Sequence, residues 1–179
     1  MKTLKAIIFL SFYLLFTSLV AADKSKIINK LNSLDNIQFN FTQKTNEKVE
    51  KGKCILAFPS KLKCIYEDKN KKELIINKKM MAITQKRYGK TLFYPLSKST
   101  FISILSKSEL INIINVSELF IDDYINIVFI DKNDNKTLIK FNKKNFLLAG
   151  WISSDQYNNQ IIFNIEITSI NQIVNDDIF

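Results

Sequence analysis

The sequence predicts an α+β protein, mainly β: one antiparallel meander curled on itself, with helices covering its concave face. Three observations lead there. Apolar residues alternate with polar ones, at period two, through most of the chain from Ile37 onward. The alternating runs are short and separated by polar turns such as Asp131-Lys-Asn-Asp-Asn135, which favours consecutive antiparallel strands. Helical spacing occurs in two places only, just after the N-terminal leader and near the middle of the chain. A sheet of so many strands must curl, and helices on one side then cover its hollow face.

The first residues give the address. Lys2 and Lys5 precede an apolar run, Ala6 to Phe16, which ends in the small residues Val20-Ala21-Ala22. This is the build of a secretory signal peptide, residues 1–22, leaving residues 23–179 as a single domain in the periplasm. The run is short for a membrane span, and no cysteine follows it for lipid attachment. The domain is long enough to bury a sizeable core. Loss of Lys2 and Lys5 takes the formal charge from +9 to +7, and Arg87 is the only arginine. Scattered lysines without an arginine fork or an aromatic platform argue against nucleic acid and suit an anionic membrane surface.

In chain order, Ile27, Ile28, Leu31 and Leu34 form the apolar stripe of a helix over Asp23 to Leu34. Ile37, Phe39 and Phe41 then switch to strand spacing, and Lys44 to Lys51 reads as a charged connection. Gly52 to Tyr66 is a hairpin turned at Pro59-Ser-Lys61, in which Cys54, Leu56 and Phe58 alternate on one arm and Leu62, Cys64 and Tyr66 on the other. If the turn holds an odd number of residues, Cys54 faces Cys64, and in an oxidising compartment the pair forms a disulfide. Strands follow at Glu73–Asn77, Met80–Gln85 and Thr91–Leu96, with turns at Glu67 to Lys72 and Arg87 to Lys90. Ser97, Ser99 and Thr100 are placed to cap a short helix through Leu105, and Ser108 to Ile114 is a second helical piece. The strands at Tyr124–Asp131, Lys136–Phe141, Phe146–Ser153 and Gln160–Ser169 complete the meander, and Asn171 to Phe179 is an irregular tail packed back on the sheet.

The chemistry available is limited. With no histidine and three glycines, the chain offers neither a Ser-His-Asp arrangement, nor a histidine metal ligand, nor a phosphate-cradling loop. The paired acids Asp122-Asp123 and Asp176-Asp177 read as surface charge. No cofactor, metal site or catalytic constellation is expected, and the chain is read as a non-enzyme. Apolar side chain is what it has in excess. Of fourteen phenylalanines and six tyrosines, Phe9, Phe12, Tyr13 and Phe16 belong to the signal. The others are either ordinary core or the lining of a cavity under the helices, and periodicity alone does not choose between them.

The order of elements resembles the LolA family of periplasmic outer-membrane lipoprotein carriers. The likeness runs from Phe39-x-Phe41-Thr42-Gln43 through Gly52, the Pro59 turn, Leu62 and Tyr66. It continues through Leu74-Ile75-Ile76, Tyr94-Pro95-Leu96 and the short helix Thr100 to Leu105, spanning essentially all of residues 23–179. The resemblance implies an unclosed β-barrel with a helical lid over a hydrophobic cavity. It implies a chaperone that takes acylated lipoproteins from an inner-membrane lipoprotein-releasing ABC transporter and carries them, as a monomer, to the outer membrane or a receptor there. The lining it implies is Phe39, Phe41, Leu56, Phe58, Leu62, Tyr66, Met81, Tyr94, Phe101, Leu105, Phe129, Phe141 and Trp151. The alternatives are a binder of other lipids or apolar ligands on the same scaffold, and a secreted hydrolase. One departure stands out: the family's basic residue before the turn proline, which holds the lid shut, is Phe58 here. Either apolar packing closes the lid, or another residue such as Arg87 or Lys61 supplies the polar latch.

Overall fold

The computed structural model describes residues 22–96, 102–131, 134–155 and 157–179. The leader, Ser97 to Phe101 and the tip of the turn after Asp131 therefore lie outside the described residues. Residues 22–32 form helix α1. Six strands follow: β1 (Asn36–Thr45), β2 (Lys48–Ala57), β3 (Lys61–Tyr66), β4 (Lys72–Asn77), β5 (Met80–Gln85) and β6 (Lys90–Pro95). Helices α2 (Ile102–Leu105) and α3 (Lys107–Val116) lead to β7 (Glu118–Ile121), β8 (Ile125–Ile130), β9 (Lys136–Phe141), β10 (Leu148–Ser154) and β11 (Gln160–Ile170). All eleven strands join one antiparallel sheet in the order β6-β5-β4-β3-β2-β1-β11-β10-β9-β8-β7. The sheet curves without closing. It consists of two meanders, one on each side of the pairing between the first strand and the last.

Two stretches depart from the sequence reading. The charged connection at Lys44 to Lys51 is strand, because β1 and β2 run on to a two-residue turn with Thr45 opposite Lys48. Asn46 supplies the left-handed conformation the turn needs, at φ 54°. This hairpin end rises above the core and Val49 is exposed, so no apolar face marks it as strand. Strand β7 was not anticipated. Its four residues pair only with β8 at the sheet edge, and Phe120 and Ile121 are exposed.

The concave face carries the alternating apolar residues in cross-strand rows. Ile83, Leu74, Cys64, Cys54 and Phe39 face one another across five neighbouring strands, and Met81, Ile76, Leu62, Leu56 and Ile37 form the next row. The helices cover the other part of this face. Ile27, Leu31 and Leu34 join Leu110, Ile113 and Ile114 of α3 and the β8–β9 residues Ile125, Ile127, Ile139 and Phe141 in a single buried cluster. Ser106 caps α3 by accepting from the backbone N–H of Glu109, the Ser-x-x-Glu arrangement of a capping box. Lys24 of α1 donates to the Ser117 and Asn115 carbonyls at the C-terminal end of α3, at 2.7 and 3.1 Å, where a cation also suits the helix dipole.

The hairpin turn is Phe58-Pro59-Ser60, an odd number of residues, and Cys54 lies directly opposite Cys64. The two are joined by a disulfide, with Cα atoms 4.1 Å apart. Gly52 serves a different purpose. A Cβ there would meet the Ile65 carbonyl at 2.2 Å and the Phe41 ring at 2.7 Å, so the glycine leaves the space into which Phe41 lies.

Two stability measurements follow. Replacing both cysteines by serine should lower unfolding stability by about 2–3 kcal/mol, the chain-entropy value for so short a loop. Gly52→Ala, which forces backbone and ring apart, should cost about 2 kcal/mol or more in a urea titration.

Candidate functional site: an apolar cleft under a helical flap

Beside the flap formed by α2 and α3, the concave face opens into a cleft of about 700 Å³, within the range of small-molecule sites. Its floor comes from the first meander: Leu62, Cys64, Tyr66, Leu74, Ile76, Met81 and Ile83. Trp151, Ile161 and Phe163 form the facing wall from β10 and β11, and Ser153, Ser154, Asp155 and Tyr157 edge it on the same side. The cleft narrows under α2, where Ile104 and Leu105 fill the space over Phe39, Leu56, Leu62, Cys64, Leu148 and Trp151. Both flap residues are buried, so α2 acts as an apolar stopper.

An aromatic column crosses the junction of the two meanders. Trp151 stacks on Phe163 at 4.2 Å, Phe163 on Phe41 at 5.0 Å, and Phe41 meets the edge of Tyr66 at 4.9 Å. Lys72 lies over the Tyr66 ring at 3.6 Å and donates to Glu50 at 2.6 Å. Burial, with the nearby charges of Glu50 and Asp68, pushes the Tyr66 hydroxyl far above its ordinary value, so this ring stays neutral. Burial opposes the charge on Glu50, but hydrogen bonds from Lys72 and Lys48 outweigh it and hold the carboxyl below its ordinary range.

The thirteen expected lining residues fall into five groups. Phe39, Leu56, Leu62, Tyr66, Met81, Leu105 and Trp151 line the cleft or its narrow end. Phe41 is buried in the column behind that surface, while Phe141 is buried with Ile125 and Leu148 under the helices and Phe129 packs at the margin of the same core. Tyr94 lies on the edge strand beside Met81, exposed. Phe101 lies outside the described residues. The remaining residue, Phe58, needs correction. Strand alternation ends at Ala57, the Phe58 N–H turns to the Asp35 carbonyl at 2.9 Å, and the ring lines a separate groove with Asn32, Asp35, Lys107 and Ile111.

That groove contains the latch. Lys107, the first residue of α3, reaches over the Phe58 ring at 5.1 Å and donates its ammonium to the Leu34 carbonyl at the end of the α1 region. The Ser60 N–H donates to the Leu105 carbonyl at 3.3 Å, a second tie between turn and flap. Neither suggested alternative fills this role. Lys61 pairs with Asp176 of the tail at 2.9 Å, and Arg87 lies against Tyr88 on an outer turn. The Lys107 ammonium on α3 thus lies against an aromatic face of the wall, tying α3 to the turn and to the end of the α1 region.

Sequence reasoning missed Ile83, Leu74, Ile76 and Phe163 as lining, although the first three share their strand parity with Met81 and Leu62. It also missed Lys72, Glu50 and Lys107, since these contacts join residues far apart in sequence. The paired acids are local structure. Asp122 accepts from the Tyr124 N–H and the Asn126 amide, at 2.8 and 2.7 Å, and Asp176 pairs with Lys61. Among the described residues no group of three or more Cys, Asp or Glu side chains is placed to hold a metal ion. Nor is any described helix long and apolar enough to cross a membrane.

Residues 32–179 match the family model described as outer membrane lipoprotein carrier protein LolA. Among solved structures, the chain is similar to the lipoprotein LppX of Mycobacterium tuberculosis, at 12% identity and TM-score 0.50, covering 88% of this chain and 98% of that one. It is also similar to LprF of Mycobacterium bovis, at 11% identity and TM-score 0.47, covering 88% and 97%. A LolA superfamily protein of Nitrosomonas europaea shares 9% identity at TM-score 0.44, covering 87% and 96%. No curated protein sequence matches. At these identities the likeness to LppX concerns the fold alone.

Lys107→Met should loosen the flap by about 1–2 kcal/mol, seen as faster amide exchange in α2 and α3 with β1–β3 unchanged. Glu50 sets a pH dependence. Its folded-state pKa is depressed, so its contribution to stability is present above the ordinary carboxylate range and lost as pH falls through it. The decline in urea midpoint between neutral pH and about pH 3 should be shallower in Glu50→Gln.

Proposed function

Because the chain belongs to the LolA family of outer membrane lipoprotein carriers, we propose that it is a periplasmic chaperone for the acyl chains of lipoproteins. It receives them from a releasing transporter in the inner membrane and gives them up at the outer membrane, without catalysis. The observation that supports this most directly is the apolar cleft of about 700 Å³ whose narrow continuation is filled by Ile104 and Leu105 of a short helix.

Physical chemistry sets what such a carrier must do. Each exposed CH₂ costs about 0.8 kcal/mol, so the chains of one lipoprotein cost on the order of tens of kcal/mol in water. The cleft supplies apolar surface from both meanders, and α2 covers its narrow end. Displacing Ile104 and Leu105 joins the narrow end to the main cleft and lengthens the site. Helix α2, held by one backbone hydrogen bond and its two buried side chains, is weak enough to move aside when acyl chains replace the leucine and isoleucine. The narrow end is then filled when the site is empty, and the loaded site can be emptied. The leader, residues 1–22, directs export, and the Cys54–Cys64 disulfide fits the oxidising compartment beyond it. Binding of free lipid on the same scaffold is the competing reading.

Protein purified from cells that make lipoproteins should carry acylated protein, seen by native mass spectrometry, and free lipid alone would favour the competing reading. Met81→Asp, which places a charge on the cleft floor at a half-buried position, should cut captured lipoprotein at least tenfold while leaving the fold intact. Trp151, the only tryptophan, should shift its emission when an acylated peptide is added. An unchanged emission spectrum together with no captured lipid or lipoprotein would sink the proposal.

A further inference from the structure

Charge is unevenly distributed along this chain. Residues 23–179 retain 24 basic residues and all 17 acids. Between Glu73 and Glu109 there are seven cations and no acid at all, and the rest of residues 23–179 is balanced. The whole net charge of +7 therefore belongs to residues 74–108. Lys107 of this segment is the latch, and Lys98 lies outside the described residues. The other five, Lys78, Lys79, Lys86, Arg87 and Lys90, occupy the two turns at opposite ends of β5 and the start of β6, all exposed. Of these, Lys86 pairs with Glu73 at 3.0 Å. The neighbouring turn holds Glu67 and Asp68, offset by Lys69 and Lys71.

The same edge exposes apolar surface. Every residue of β6 is exposed, with Phe93 at 68% on the convex side opposite Ala82. On the concave side Leu92 pairs with Ile83 and Tyr94 with Met81, both cleft residues, so the apolar rows of the cleft run out to the sheet edge uncovered. Tyr88, 61% exposed, sits among the cations of one turn. Cations flanking exposed aromatic and aliphatic side chains match an anionic bilayer surface, where lysine heads meet lipid phosphates and aromatic rings settle at headgroup depth.

We infer that the β5–β6 edge is a membrane-docking surface that sets the mouth of the cleft against anionic phospholipid. Docked there, an acyl chain moves between bilayer and cleft along Leu92 and Tyr94 without crossing water. Only this purpose rests on the carrier reading; the docking itself is measured without any lipoprotein.

The test is flotation of the purified full-chain product with vesicles of phosphatidylcholine containing about a third phosphatidylglycerol, and with phosphatidylcholine alone, at low and physiological ionic strength. The protein should float with the anionic vesicles only. K78Q/K79Q/R87Q/K90Q should weaken this about six-hundredfold, at roughly fivefold per cation. The control K44Q/K51Q/K53Q/K144Q removes equal charge elsewhere and should change it little. Leu92→Ser with Phe93→Ser should lower the binding that survives physiological salt by about tenfold. Equal loss in both lysine sets would reduce the effect to net charge and overturn the assignment. A wild-type chain that stays in solution beside anionic vesicles would also overturn it, and would leave the edge to an acidic protein partner. Capture of acylated protein is read separately, so either result stands without the other.

Discussion

The hydrogen-bonded seam between β1 and β11 turns two meanders into one curved wall. Every other strand pair joins neighbours in sequence, and each meander alone would be an open ribbon with a bare apolar face. Pairing the first strand with the last places Phe41 and Phe163 in contact across the seam, and Trp151 extends the stack into the second meander. A register shift between Gln38 and Phe39 occurs in this pairing, and bulges of that kind add local bend and twist. The cleft exists because the seam bends the two apolar faces toward each other. Closing it costs the entropy of joining residues more than a hundred positions apart, which the aromatic column offsets by packing.

The seam also explains where rigidity and freedom lie. The floor is held by strand ladders and stapled by a disulfide whose Cys64 itself lines the cleft. Helix α3 is anchored in the core by Leu110, Ile113 and Ile114, while α2 is joined to the frame by one backbone hydrogen bond and the buried side chains of Ile104 and Leu105. On the proposed carrier reading this division is what reversibility needs: wall stability must exceed the free energy of loading, and flap closure must lie below it. The contact of Lys107 with Phe58 and the Leu34 carbonyl is a weak tie of that kind.

Much of this was legible in the sequence because it is local. Short runs bounded by polar turns marked ten of the eleven strands, and an odd turn does face Cys54 with Cys64. That turn is Phe58-Pro59-Ser60, one residue earlier than the Pro59-Ser-Lys61 expected, which would have set Cys54 against Tyr66. The misses share a cause. The outer part of the β1–β2 hairpin and the edge strand β7 bury little, so no apolar face distinguishes them from loop. Phe58 was assigned by carrying alternation one residue past the strand end. Lys107, Lys72 and Glu50 act on partners two strands away or on another element, and no local pattern shows such pairings. Phe141 and Phe129 have the right parity but lie beneath the helices; parity gives the face and not what covers it.

An unclosed sheet has two edges, and they are treated differently. The β7 edge is short, four residues beside the acids Asp122 and Asp123, and a short edge offers little backbone to another chain. The β6 edge is longer, apolar on both faces and bounded by cations. Lysines at an edge repel a second copy of the same strand and so suppress sheet-to-sheet association. The same charges attract an anionic surface, so one feature can oppose edge-to-edge association in water and, on the docking proposed above, bring the protein to a membrane. A closed barrel would have removed the association hazard and, with it, any lateral way into the cleft. Leaving the sheet open keeps the apolar rows continuous to the edge, and the charge segregated into residues 74–108 makes that exposure tolerable.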